Sequence, residues 1–235
     1  MKKSIALLAL SLLLGTGAFA EDAYVITDLT LDNFWSKTGK AQEKVASVAT
    51  RIMEQNKLNK RVPVFVVNKN NEPNAVTNPM SKVIEVYSGL LVCIDNDDEL
   101  AFVLGHEMAH AVEAYRGPWS IFSTFYNSKS YEYKSDLKSI DYMVAAGYDP
   151  ISAIIIGNKI FSEPYWDWGS SHPKGSKRLL EMYKYIYKKY PQYLTSSKTN
   201  NPYYKNFEYL FADELKGFRH KESVRRQKQL QREAI

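Results

Sequence analysis

Cysteine is nearly absent. Cys93 is the only one in 235 residues, so no internal disulfide can form even in an oxidising compartment, and stability has to come from burial, helped by any bound metal. It lies in the apolar run Leu90-Leu91-Val92-Cys93-Ile94, the setting of a packed thiol rather than a nucleophile. Long apolar runs are missing too. Beyond the first twenty residues nothing approaches the roughly eighteen apolar residues that a membrane helix needs. Internal repeats are lacking, which excludes a tetratricopeptide array. The formal charge is +5, but no nucleic-acid-reading motif accompanies it, so nucleic acid is not an expected partner.

Most of the basic excess sits near the C-terminal end, between Lys216 and Arg232, in a stretch with few apolar residues that includes Lys221-Glu222-Ser223-Val224-Arg225-Arg226-Gln227-Lys228. Residues 219–235 read as a basic tail, either a solvated helix or a disordered segment. Such a tail is able to make peripheral contact with anionic lipid, although plain solubilisation is the simpler role. The opposite end has Met1-Lys2-Lys3, an apolar core over 5–14 and the small-residue stretch Ala18-Phe19-Ala20. These are the three parts of a secretory signal, with cleavage expected after Ala20. The expected location is therefore the periplasm, in solution or peripheral to a membrane. A retained segment would instead be an anchor. No Cys follows the small residues, so lipid attachment there is not supported. Residues 21–218 are expected to form a single domain.

Histidine is scarce as well, four in all, and two of them fall in His106-Glu107-Met108-Ala109-His110. Side chains four apart on a helix lie within about 40° of each other, one turn up the axis, so both imidazoles can reach one cation. Glu107, one step round, points beside that cation, where it can take a proton from a water the metal activates. The surroundings suit a buried helix: Val103-Leu104-Gly105 precede the motif and Ala111-Val112 follow it. Asn96 is placed to cap it, Glu99 to complete a capping box, and Gly117-Pro118 to end it. The alternative is two surface histidines on an ordinary amphipathic helix.

A catalytic zinc usually takes three protein ligands and keeps a fourth position open. Glu132 is the candidate for the third. Residues 130–146 read as a helix with Leu137, Ile140, Met143 and Val144 on its apolar side, ended by Gly147. Glu132 and Asp136 share its other face. Asp136 would accept the free ring N–H of a ligand histidine and so fix its tautomer. Taken alone, the two carboxylates would be an ordinary solvated face.

His106-Glu107-x-x-His110 followed by Glu132-x-x-x-Asp136 resembles a gluzincin. With Asn74-Ala75, Val83-Ile84-Glu85-Val86-Tyr87, Gly89-Leu90, Asp98-Glu99-Leu100-Ala101, Ala146-Gly147-Tyr148-Asp149-Pro150, Ser171-His172-Pro173 and Arg178, the order is similar to that of the HtpX-type metallopeptidases, family 48 of the metallopeptidases, nearest the small periplasmic BepA and LoiP type. The similarity runs over about residues 40–190. Where that family commonly has Glu-x-Glu-Ala-Asp, this chain has Glu132-Tyr133-Lys134-Ser135-Asp136. The resemblance implies an α+β fold: a mostly helical zincin-like domain with a small β-sheet beside the active-site helix. It also implies a zinc endopeptidase acting on membrane-associated or misfolded envelope proteins.

Along the chain, 30–56 reads as a first helix packing behind the active-site helix, 61–67 as a strand, and 68–78 as a loop rich in Asn and Pro. Residues 82–87 read as a second strand. In peptidases of this design such a strand runs along the cleft, so Val83, Glu85 and Tyr87 are expected on an exposed edge that pairs with substrate backbone. The alternative is a hairpin without an exposed edge. Helices are expected at 150–161, 173–190 and 203–218. The loop 165–173 is aromatic and contains Gly169, the makings of a cleft wall or lid. In it, His172 would donate to the oxyanion or occupy the metal in a closed form, and Arg178 would stabilise the same negative charge. Ordinary loop-orienting hydrogen bonds are equally open for both.

The function expected is peptide-bond hydrolysis with one Zn2+ per chain, Glu107 being the base and unfolded or membrane-associated envelope proteins the substrates. An alternative from another class is a chaperone-like envelope binding factor with structural zinc. The unliganded Glu107 argues against it, since a structural site needs no such carboxylate. A zinc hydrolase of a non-peptide bond is a third possibility.

Overall fold

The computed structural model describes residues 25–27, 39–58, 64–68, 70–78, 83–114, 128–161 and 175–233. The expected leader and its cleavage point, residues 30–38 of the expected first helix, Gly117-Pro118 and the 165–173 loop with His172 lie outside the described residues. The fold is mostly helical with one small sheet, as expected. It divides into two compact units, one ending at Tyr148 and the other beginning at Asp149. This differs from the single domain expected over 21–218. The physical reason is local: helix, turn and a new Pro-started helix meet at 146–150, and each side carries its own core.

The first unit contains β1 (Val25–Thr27), α1 (Gly39–Gln55), β2 (Val64–Asn68), β3 (Ala75–Asn78), β4 (Val83–Tyr87), α2 (Ser88–Cys93), α3 (Asp97–Ala114) and α4 (Ser128–Ala145). Helix α1 buries Val45, Val48, Ala49 and Ile52, a stripe at three- and four-residue spacing, and packs against α3, α4 and β1. Helix α3 begins as its sequence signals. Asn96 Oδ1 accepts from the backbone N–H of Asp98 and Glu99 at 3.1 and 3.2 Å. The Glu99 carboxylate reaches back to the Asp95 N–H at 3.1 Å and to the Asn96 side chain at 3.0 Å, the reciprocal cap that satisfies otherwise orphaned donors. Helix α4 ends at Gly147, whose φ of +76° is a left-handed conformation that suits glycine. The Gly147 and Tyr148 N–H groups then bond back to Val144 and Met143 at 3.0 and 2.9 Å, which closes the helix in a Schellman turn.

The sheet runs in the order β1-β2-β4-β3, parallel from β1 through β4 and antiparallel at β3. This corrects two expectations. Residues 75–78 form a strand, not part of a loop. They pair with β4 in the register Thr77 with Ile84 and Val76 with Glu85. In consequence Val83, Glu85 and Tyr87 stand on an interior strand with β2 on one side and β3 on the other. Their backbone is committed to neighbours and offers no free edge. Ile84 and Val86 are buried while Val83, Glu85 and Tyr87, which alternate with them, are half-buried, the alternation of a strand with one face on the core. Among the described residues, the edge on this side is β3, and it packs against α3.

The second unit contains α5 (Ile151–Ile160), α6 (Gly175–Lys189), two 3₁₀ turns (Pro191–Thr195 and Ser197–Asn200), α7 (Pro202–Leu210) and α8 (Ala212–Glu233). Helix α5 is buried over its first seven residues, Ile151 to Gly157. It meets Leu179, Met182, Tyr183 and Ile186 of α6 and Tyr204 and Phe207 of α7 in a core of its own. The helix expected over 203–218 is two helices parted at Phe211 (φ −115°, ψ 24°). The apolar spacing runs through that break, which hid it. Helix α8 carries the basic stretch well past residue 218 as a solvated helix, with Leu215 its one buried residue. Among the described residues no helix is long and apolar enough to cross a membrane.

Candidate metal centre

Helices α3 and α4 pack along each other, and their close approach depends on Gly105. A Cβ there would stand 2.6 Å from Ser139 Oγ and 3.4 Å from Ser139 Cα. Ser139 is fully buried and donates to the carbonyl of Phe102 at 2.6 Å, so one residue of α4 is tied to α3 just before the motif. Leu104 and Met108, both fully buried, set the rotation of α3 and leave His106 and His110 on the face toward α4.

The two imidazoles meet there. Their Nε2 atoms are 3.0 Å apart, and Glu132 on α4 lies against both, Oε2 3.6 Å from His106 Nε2 and Oε1 3.2 Å from His110 Nε2. One ligand atom from each residue falls within 4.8 Å of the others. Ligand atoms held about 2.0–2.1 Å from a tetrahedral zinc are about 3.3 Å from one another, and the three separations bracket that value. The donor set supports the same occupant. Asp136 Oδ1 is 2.9 Å from His106 Nδ1, and this nearly inaccessible carboxylate calls for a proton on the ring nitrogen facing it. Ser135 Oγ is 3.2 Å from His110 Nδ1. With both Nδ1 atoms protonated, both Nε2 lone pairs face each other across 3.0 Å, an arrangement that only a cation or an added proton reconciles. Two imidazoles and one carboxylate fit zinc.

Burial pulls the pKa of His110 down, but the carboxylates of Glu132, Glu107 and Asp136 outweigh burial and leave it above the ordinary value of 6.5.

Glu107 is buried but stands outside the convergent set. Its Oε2 accepts from Thr77 Oγ1 of β3 at 2.7 Å. The structure thus brings together His106, His110, Glu132, Asp136 and Glu107. Sequence reasoning missed two neighbours. Thr77 sat in a segment taken for loop. Ser135 stands where the resembled family commonly has Ala, and that difference was the signal that could have found it. Arg178 belongs to the second unit, where it is buried and its guanidinium lies over the Phe161 ring, 3.9 Å from the centroid.

Comparison with known proteins agrees with this geometry. Residues 39–115, which take in α1, the sheet from β2 to β4 and the two histidines, match the family described as Peptidase family M48. The chain is 28% identical over 183 residues to "Mitochondrial metalloendopeptidase OMA1" of Arabidopsis thaliana, an alignment covering 64% of this chain and 36% of that relative. The chain therefore spans little more than a third of the length of the curated relative it matches.

Proposed function

We propose that this chain is a zinc-dependent endopeptidase of peptidase family M48, the family its residues 39–115 match, and that it cleaves misfolded or membrane-associated proteins of the bacterial cell envelope. The observation that carries the reading is the convergence of His106, His110 and Glu132 within 4.8 Å, with a second acidic residue, Glu107, next in sequence to one ligand and left out of the set.

Nε2 of His106, Nε2 of His110 and the Glu132 carboxylate would hold the metal. Zinc in such a site supplies Lewis acidity and makes water ionise near neutral pH. Glu107 takes the proton of the attacking water and returns it to the leaving amine. Asp136 and Ser135 hold the two rings through their Nδ1 atoms, so that the Nε2 lone pairs stay directed at the metal. Substrate backbone would lie along β3, the edge strand that packs on α3. Main-chain pairing of this kind tolerates varied sequences, which suits a protease of damaged proteins.

The envelope location, in the periplasm or peripheral to a membrane, is supported by the three-part leader signature at 1–20 and by the exposed basic residues of α8, which suit an anionic lipid surface. One zinc per chain is the stoichiometry of a single three-residue site. The test is cleavage of an unfolded protein by the zinc-loaded chain and by Glu107→Gln. The reading requires the variant to keep its zinc and lose cleavage by at least about 100-fold. A variant that digests as fast as the parent would refute it.

A further inference from the structure

The base of the proposed reaction is held by a strand, not by its own helix. Glu107 is buried, and a buried carboxylate needs donors to replace the water it has lost. Among the described residues, the hydroxyl of Thr77 supplies such a donor, 2.7 Å from Glu107 Oε2 and 3.1 Å from the Glu107 backbone carbonyl. A hydroxyl has one proton to give. The carbonyl lies inside α3 and has a helical N–H to accept from, so the shorter contact, to the carboxylate, takes it.

We infer that Thr77 is a positioning residue for catalysis: its hydroxyl fixes the carboxylate of Glu107 from the edge strand β3. The inference rests on the peptidase reading above and deepens it. One Glu107 oxygen accepts from Thr77, which leaves the other to exchange a proton with water and leaving amine. Thr77 is also fixed in register, paired with Ile84 of the interior strand, so its hydroxyl cannot drift along α3. The element that would align a substrate backbone is thus the element that aims the base, and the distance between scissile bond and base is set within one strand. Misplacing such a group by about 1 Å costs on the order of 100-fold in rate.

The experiment compares the zinc-loaded wild type with Thr77→Val, Thr77→Ser and Thr77→Ala, measuring zinc content, Tm, kcat and KM on one unfolded protein substrate. Valine keeps the shape without the hydroxyl, and serine keeps the hydroxyl without the methyl. The expected result is full zinc content throughout, kcat down about 10- to 100-fold in Thr77→Val with KM within about 2-fold, and recovery in Thr77→Ser. A role confined to packing would lower Tm and leave the hydroxyl-bearing and hydroxyl-free variants equal in kcat. If Thr77→Val fails to fold, Thr77→Ser against Thr77→Ala decides the same point. Wild-type kcat in Thr77→Val, or Thr77→Ser as slow as Thr77→Ala, overturns the inference. A zinc-loaded wild type that cleaves nothing overturns the peptidase reading itself, a distinct result.

Discussion

Replacing Gly105 by alanine should damage the metal site without touching any ligand. The added Cβ would stand 2.6 Å from Ser139 Oγ, about 0.7 Å inside an ordinary C···O contact. Two relaxations are open. Ser139 can rotate, which breaks its 2.6 Å bond to Phe102 O and leaves a fully buried hydroxyl unpaired, at a cost of about 1–3 kcal/mol. Alternatively α4 can move off α3 by a similar 0.7 Å, which carries Glu132 and Asp136 away from the two histidines. Alanine in a helix returns about 1 kcal/mol over glycine, so the net loss of stability is only about 0–2 kcal/mol. Zinc reports the difference: displacing ligands and their supports weakens binding by roughly 10- to 100-fold. The assay is chelator competition for zinc alongside thermal unfolding of the metal-free protein. The double variant Gly105→Ala/Ser139→Ala removes the offending oxygen and leaves contacts of 3.4 Å to the Ser139 carbons, so it should bind zinc nearly as the wild type does. Zinc affinity unchanged in Gly105→Ala, or no recovery in the double variant, refutes the argument that this glycine sets the spacing.

Two further outcomes follow from the same geometry. Asp136→Ala removes a buried charge from behind His106 and should weaken zinc about 10- to 100-fold, whereas Ser135→Ala removes a neutral partner of His110 and should cost less; chelator competition ranks them, and the reverse order would show that charge is not what holds the rings. For pH, His110 lies above 6.5 in the metal-free protein, with burial opposing and Glu132, Glu107 and Asp136 prevailing. Its raised pKa stabilises the metal-free fold below 6.5, and that contribution fades as pH rises through the folded value. Zinc needs the neutral ring, so binding should release a proton where that ring is charged and weaken as pH falls through the folded value. Calorimetry in buffers of different ionisation enthalpy reads the proton directly, and no release at pH 6.5 would contradict the assignment.

The metal ligands were legible because their geometry is local. His106 and His110 share a face through helical spacing alone, and Glu132 with Asp136 does the same on a second helix, so only the meeting of two helices had to be supplied. The caps of α3 and α4 were equally legible, since Asn96, Glu99 and Gly147 act within a few residues of themselves. Strand order was not. A period-two pattern tells which face of 83–87 is buried but carries no record of its neighbours, and the four-residue strand 75–78 is masked by the asparagines and prolines around it. Thr77 therefore went unseen, since its partner is thirty residues away and the contact exists only once β3 is placed on α3. The break at Phe211 was hidden because apolar spacing continues on both sides of it, and the division at Tyr148 emerges only from packing, each unit having a core of its own.

The most direct measurement is zinc analysis of the purified chain with X-ray absorption at the zinc edge, with Glu132→Ala alongside. The account predicts one zinc per wild-type chain, bound by two imidazole nitrogens and by carboxylate oxygen, and a zinc affinity in Glu132→Ala lower by at least about 100-fold. A wild-type chain that takes up no zinc, or a Glu132→Ala chain that binds it as tightly as the parent, would contradict the central claim.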